Sequence, residues 1–201
     1  MIVRRDLLAA GLALSAGGAW AQTEAGLVHV VLTTAKGAIT LELNTGKAPV
    51  TAGNFLRYVT AKRYDHASFY RVSRAPNDAN YGLIQGGVKG DPAKLFKPIA
   101  HESTLVTGLT HKDGTISMGR GKPGSANAEF FICVGDHPGF DATPDGEGDH
   151  GGFAAFGRVI EGMDVVHAIF ALPTSPTAGS GALRGQMLSP AVPILTARKT
   201  A

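Results

Sequence analysis

The sequence predicts a mainly β protein, a closed or nearly closed antiparallel barrel accompanied by two helices. Short apolar runs recur along the chain between Gly- and Pro-rich segments, and its 27 glycines suit many tight turns. Strand-type alternation dominates, while only two stretches carry helical spacing.

The first residues read as an address rather than as part of the fold. Arg4 and Arg5 form a positive start, residues 7–19 are apolar and small, and Ala19-Trp20-Ala21 fits an A-x-A cleavage site. Arg4-Arg5-Asp6-Leu7-Leu8 also resembles a twin-arginine export signal, an address read by a receptor. The apolar stretch is short of the ~20 residues that a membrane span needs. Cleavage after Ala21 leaves residues 22–201 as one domain, long enough to bury a sizeable core. The expected compartment is outside the cytoplasm, the periplasm in a bacterium with two membranes, with no membrane contact after cleavage.

Residues 28–34 are a β-branched run, and Ala35-Lys36-Gly37 supplies turn chemistry. Ile39, Leu41 and Leu43 then alternate with Thr40 and Glu42, so the chain opens on a β-hairpin. Ala52, Phe55, Leu56 and Val59 are spaced i, i+3, i+4, i+7, which predicts a helix over 49–61 with Pro49 in its first turn. Apolar runs at 68–72, 82–86, 114–118, 129–134 and 153–160 predict further strands. Met163, Val166 and Phe170 predict a second helix, ended by Pro173. The segment 173–190 has no periodicity and reads as an irregular surface connection, followed by a last strand over 192–197.

Several function classes are excluded. The formal charge of +3 falls to +2 once the leader is removed, too little to argue for nucleic acid or an anionic membrane. The single cysteine, Cys133, precludes an internal disulfide and reads as a small buried hydrophobe in a strand. Gly119-Arg120-Gly121-Lys122-Pro123-Gly124 has the letters of a dinucleotide fingerprint but no helix after it. The acids at 141, 145, 147 and 149 miss the EF-hand spacing, and the histidines show no H-E-x-x-H, so no metal is expected. No G-x-S-x-G elbow surrounds any serine.

Five short words stand in one order: Phe69-Tyr70-Arg71-Val72, Ile84-Gln85-Gly86-Gly87, Gly114-Thr115-Ile116-Ser117-Met118, Glu129-Phe130-Phe131-Ile132 and Phe153-Ala154-Ala155-Phe156-Gly157-Arg158-Val159. Together they resemble the cyclophilin family of peptidyl-prolyl cis/trans isomerases, over roughly residues 28–198. The resemblance implies a closed eight-stranded antiparallel β-barrel with two capping α-helices. It implies proline-containing polypeptides as substrates, no cofactor, and a monomer.

The resemblance also implies the site. Arg71 matches the catalytic arginine, and Phe131 the floor of the proline pocket. Alternation along the strand puts Phe130 and Phe131 on opposite faces, so one can line a pocket while the other fills the barrel. Leu83 and Phe140 match pocket-lining residues, and Gln85 matches a glutamine that hydrogen-bonds substrate backbone. Met118, Gly119, Arg120 and Gly121 match the segment along which the peptide lies as an added strand. Phe69, Glu129 and Phe153 complete the expected substrate-binding set.

Three departures stand out. Glu129 replaces a usual glutamine, and could pair with Arg71 and hold it or blunt its charge. Gly139 falls where the family has a groove aromatic. The loop 73–81 is about six residues longer than the family's.

The chemistry such a site must perform is modest. An X-Pro bond turns over a barrier near ~18–20 kcal/mol in tens to hundreds of seconds. A turnover of ~10 s⁻¹ asks for roughly a thousandfold acceleration, about 4 kcal/mol. The twisted bond has lost amide resonance, so its nitrogen becomes a better acceptor for a fixed guanidinium. An apolar slot must hold the proline ring meanwhile. Two other readings compete. A groove that binds without accelerating rotation would be a chaperone or scaffold, favoured if Glu129 locks Arg71. A barrel with an empty lumen would be a small-ligand carrier, although its bulky strand residues argue for a packed interior.

Overall fold

The computed structural model describes residues 26–144 and 151–200. The expected export signal and the acids at 145, 147 and 149 lie outside the described residues. The opening hairpin forms as predicted. Strand β1 (Leu27–Thr34) pairs antiparallel with β2 (Gly37–Asn44), and Leu32 sits opposite Ile39. Val30, Leu32, Ile39, Leu41 and Leu43 all point inward and are fully buried.

Helix α1 (Pro49–Thr60) follows, with proline in its first turn. Its first backbone N–H groups find no local side-chain cap. The carboxylate of Glu102, far along the chain, accepts from Val50 N at 3.0 Å and from Thr51 N at 2.6 Å instead. Strands β3 (Ala67–Ala75) and β4 (Asp78–Gly87), a short helix α2 (Thr104–Thr107), then strands β5 (Thr115–Met118), β6 (Phe130–Val134) and β7 (Ala154–Glu161) come next. Helix α3 (Met163–Phe170), a two-residue strand β8 (Thr174–Ser175) and a long β9 (Met187–Lys199) complete the chain.

The strands run in the order β1-β2-β7-β5-β6-β4-β3-β9, and β9 returns to pair with β1, which closes an antiparallel barrel of eight strands. β8 adds to β9 outside that ring. Closure removes the exposed edges that an open sheet would carry.

The lumen is filled. Val72, Ile84, Ile132 and Ile116 lie on neighbouring strands in one cross-strand row, and none is more than 1% exposed. Phe55 of α1 meets Phe130 edge to face at 5.3 Å and lies 4.9 Å from the ring of Tyr64. The Tyr64 hydroxyl donates to the Ala128 carbonyl at 3.0 Å, so its polar tip is satisfied inside the core. A packed interior of this kind leaves no room for a carried ligand.

Two expectations need correction. The segment 73–81 is an extension of the β3–β4 hairpin rather than a loop, because Ser73 to Ala75 continue the pairing to Asp78. The last strand starts at Met187, not 192, and pairs with β3 and β8 before it reaches β1.

Candidate active site

The site begins with a break in strand pairing. Phe69 and Arg71 are two apart, so regular alternation would put them on one face. The register instead shifts between them: Phe69 opposes Gly86, while Arg71 opposes Gln85. Tyr70 is the extra residue, and this bulge turns Phe69 into the barrel and Arg71 out of it. Phe69 is fully buried and packs on Phe130 at 5.7 Å. Its expected contact with substrate is therefore wrong; it supports the groove from behind.

From Arg71 a second cross-strand row runs outward-facing across the sheet. Arg71 opposes Gln85, Gln85 opposes Phe131, and Phe131 opposes Ser117. Leu83 and Cys133 form the next pair on that face. Leu83, Phe131 and Cys133 make a small apolar cluster apart from the barrel core, with Phe140 and Phe153 packed against it. The rings are set edge to face: Phe131 to Phe153 at 5.3 Å, Phe131 to Phe140 at 5.6 Å, and Phe140 to Phe153 at 5.4 Å. These side chains form a small apolar patch on the face of the sheet that also carries Arg71 and Gln85, the candidate proline slot.

Behind Phe131 the ring of His111 stacks at 6.0 Å and 13°. Its Nδ1 donates to Asp141 at 2.6 Å, which leaves Nε2 to accept from the Ser117 hydroxyl at 2.8 Å. Burial holds this imidazole below its usual pKa, although Asp141 pulls the other way.

Arg71 is oriented by neutral groups. Its Nη1 donates to Gln85 Oε1 at 2.7 Å and its Nε to Gln186 Oε1 at 2.8 Å. A guanidinium carries five N–H donors, so the remaining ones can serve a substrate. Amide oxygens fix the fork without cancelling its charge, as a carboxylate would. Burial lowers the Arg71 pKa from its ordinary value, and the group stays protonated at neutral pH.

Glu129 does not pair with Arg71 in this arrangement. Its carboxylate accepts from the Tyr70 hydroxyl at 2.6 Å and from Gly90 N at 3.2 Å. Tyr70 in turn accepts from Gln85 Nε2 at 2.8 Å. Burial raises the Glu129 carboxyl above the usual carboxylate value, offset in part by the Tyr70 bond and by backbone N–H groups of residues 88–90. Burial and the Glu129 charge together push the Tyr70 phenol well up, so it remains a donor.

The Gly86-Gly87 pair has a physical cause here. A Cβ at Gly86 would sit 2.9 Å from the Phe69 ring. Gly87 has φ +147°, and a Cβ there would run into the Glu129 carboxylate.

The remaining sequence candidates divide. Met118 is 1% exposed and opposes Phe130 inside the barrel, so its side chain is core rather than groove. Gly119, Arg120 and Gly121 leave the strand end and flank the slot: the Arg120 guanidinium lies 5.2 Å over Phe153, and its Nε donates to Gly152 O at 2.9 Å. Gln186 and His111 were not foreseen. Gln186 sits in a stretch with no periodicity, and nothing local marks it.

Comparison with known proteins decides the family. Residues 29–197 match the family described as cyclophilin type peptidyl-prolyl cis-trans isomerase. The chain belongs to this family. A peptidyl-prolyl cis-trans isomerase of Streptomyces antibioticus is 38% identical over 75% of this chain and 87% of its own. One from Acinetobacter baylyi is 37% identical over 87% of this chain and 86% of its own. The fold of a cyclophilin-type isomerase from Cryptosporidium parvum superposes with a TM-score of 0.65 at 18% identity, covering 87% of this chain and 98% of that one. The same parasite protein in the presence of the dipeptide Ala-Pro gives a TM-score of 0.63, at 19% identity over 86% of this chain and 99% of that one. The chain is thus a cyclophilin-type isomerase, and within that family its groove carries Tyr70 and Glu129 behind the arginine.

Proposed function

We propose that this cyclophilin-type isomerase turns X-Pro bonds in exported polypeptides and so assists their folding outside the cytoplasm, acting as a monomer without a cofactor. The observation that carries the catalytic part is Arg71, held by Gln85 and Gln186 beside the slot of Leu83, Phe131, Phe140 and Phe153. The proline ring occupies the slot, and Gln85 and the 119–121 segment meet substrate backbone. As the bond twists, its nitrogen gains a lone pair that Arg71 stabilises better than it does the planar amide. No bond to the protein forms.

The address argues for exported clients. Arg4-Arg5, the apolar residues 7–19 and Ala19-Trp20-Ala21 have the layout of a cleaved signal. Prolyl isomerisation can limit folding on the scale of tens of seconds, so an isomerase at the destination removes a delay.

An arginine locked by Glu129 would favour the binding-only reading, and Glu129 bonds to Tyr70 instead. Fractionation of cells expressing the full chain, with and without Arg4→Lys and Arg5→Lys together, tests the address. Processed wild-type protein outside the cytoplasm is expected; unprocessed wild-type protein inside it contradicts the proposal. Acceleration of a proline-limited refolding reaction by residues 22–201 tests the folding role.

A further inference from the structure

Away from the slot, the ring of Phe96 is a platform for two arginines. The Arg57 guanidinium carbon lies 4.0 Å from the ring centroid and the Arg63 guanidinium carbon 3.7 Å from it. The ring is itself fixed: Tyr58 meets it edge to face at 4.8 Å, and the Tyr58 hydroxyl accepts from Phe96 N at 2.7 Å. Tyr58 is fully buried, Phe96 half-buried and Arg57 exposed, so the platform stands at the surface on a rigid base.

Neutral oxygens hold both guanidiniums. Arg57 Nη2 donates to Asn54 Oδ1 at 3.1 Å, and Arg63 Nη1 donates to the carbonyls of Lys94 at 2.8 Å and Leu95 at 3.0 Å. Among the described residues no carboxylate forms an ion pair with either. The acids near them in the chain are engaged elsewhere: Asp65 with Arg198 at 2.7 Å, Asp91 with Ala93 N at 3.0 Å, and Glu102 with the first turn of α1. Lys62 and Lys97, both exposed, add positive charge next to Arg63 and Phe96 in the chain.

Structural duties account for each arginine singly. Arg63 fastens the 94–96 segment to the end of α1, and Arg57 lies in the last turn of α1, where the helix dipole favours a cation. Neither duty needs a second guanidinium on the same ring, and two like charges that share one ring repel. An anion lying across both relieves that repulsion and takes up N–H donors that the protein oxygens leave over.

We infer that this platform docks an acidic stretch of a client polypeptide at a distance from its proline. The segment that flanks the slot at 119–121 is tied further along to both elements of the platform: Asn54 Nδ2 of α1 donates to Asn127 O at 2.5 Å, and Ile99 N donates to Ala126 O at 2.9 Å. A polypeptide that runs along residues 119–121 and on past the exposed Lys122 meets Arg57 at the end of that path. Aspartate and glutamate carboxylates match the guanidinium fork. The inference rests on the isomerase reading, which brings the polypeptide to the groove.

The test compares kcat/KM on peptides with one Ala-Pro core that carry, beyond a Gly-Ser spacer before or after proline, a run of aspartates or a run of asparagines. At low salt the wild type favours aspartates roughly tenfold at one of the two ends, through KM. Arg57→Gln combined with Arg63→Gln brings that ratio close to one and turns over the asparagine peptides as the wild type does. Where circular dichroism shows that the double variant is unfolded, Arg57→Gln alone, at an exposed residue, still lowers the ratio several-fold. Absence of a preference at either end, or a ratio unchanged in the folded variants, overturns the proposal. Binding to anionic lipid vesicles that the variants lose, with no peptide preference, assigns the platform to a membrane surface and overturns it too. A wild type that turns over no peptide contradicts the isomerase reading instead; fluorescence anisotropy with the same peptides then decides the platform, equal affinities for aspartate and asparagine runs overturning it.

Discussion

Tyr70 donates its hydroxyl proton to Glu129 across 2.6 Å, and that one bond sets the direction of the network in front of it. A carboxylate can only accept, so Tyr70 must accept from the Gln85 amide nitrogen. The Gln85 oxygen is then the atom left to face Arg71, at 2.7 Å. The acid thus acts on the arginine through two neutral side chains, which orient it and leave its charge intact.

Removing the Tyr70 hydroxyl breaks that order. Tyr70→Phe removes the acceptor for the Gln85 amide N–H and leaves Gln85 held by its bond to Arg71 alone, so the pair loses its fixed anchor. The expected cost is about 1–1.5 kcal/mol in the transition state, a several-fold to tenfold fall in kcat/KM with the fold intact. Peptide isomerisation kinetics beside a thermal melt check it; unchanged kcat/KM would mean that the network does not orient Arg71.

Protonation of Glu129 should invert the same chain. Burial raises its pKa, so kcat/KM should begin to fall at a pH above the ordinary carboxylate value near ~4.3. Glu129→Gln should lack that acid limb. Stability has the opposite sign: with the folded pKa above the unfolded one, this group's contribution is full below the unfolded value and is lost as pH rises through the folded one. A pH profile of both proteins is the measurement, and matching acid limbs would refute the role.

His111 gives a separate pH dependence. Burial lowers its pKa, so its contribution to stability is full above the unfolded value near ~6.5 and is lost progressively as pH falls toward the folded one. Thermal melts should therefore show a loss beginning below about pH 6.5, smaller in His111→Gln. Equal slopes for the two proteins would assign the acid loss to other groups.

Cys133 should be chemically silent. It is fully buried against Leu83 and Phe131, and burial pushes its thiol far above the ordinary range. A thiol reagent at neutral pH should label it only after denaturation. Fast labelling of the folded protein would show that the slot opens down to its floor.

The legible parts of the chain were those with local signatures. The two helices and the alternation of Phe130 and Phe131 follow from spacing, and the structure puts Phe130 in the core and Phe131 in the slot. Arg71 followed from ordered motifs. Phe69 was misplaced because a bulge at Tyr70 cancels the period-2 rule at that point, and no residue type announces a bulge. Met118 lies two residues from Ile116, so plain alternation turns it into the barrel opposite Phe130, and the family resemblance had placed it in the groove against that rule. Gln186 was invisible because it precedes a strand that contains Pro190 and Pro193, residues that argue against strand from sequence. The role of Glu129 depended on where Tyr70 would stand, a distance between strands that no spacing encodes.

Arg71 carries the central claim, and its replacement tests it most directly. Isomerisation of a proline-containing peptide by residues 22–201 should be fast, and Arg71→Ala should lower kcat/KM by about a hundredfold or more while the melt shows a folded protein. A folded Arg71→Ala protein that turns over peptide as the wild type does would contradict the account.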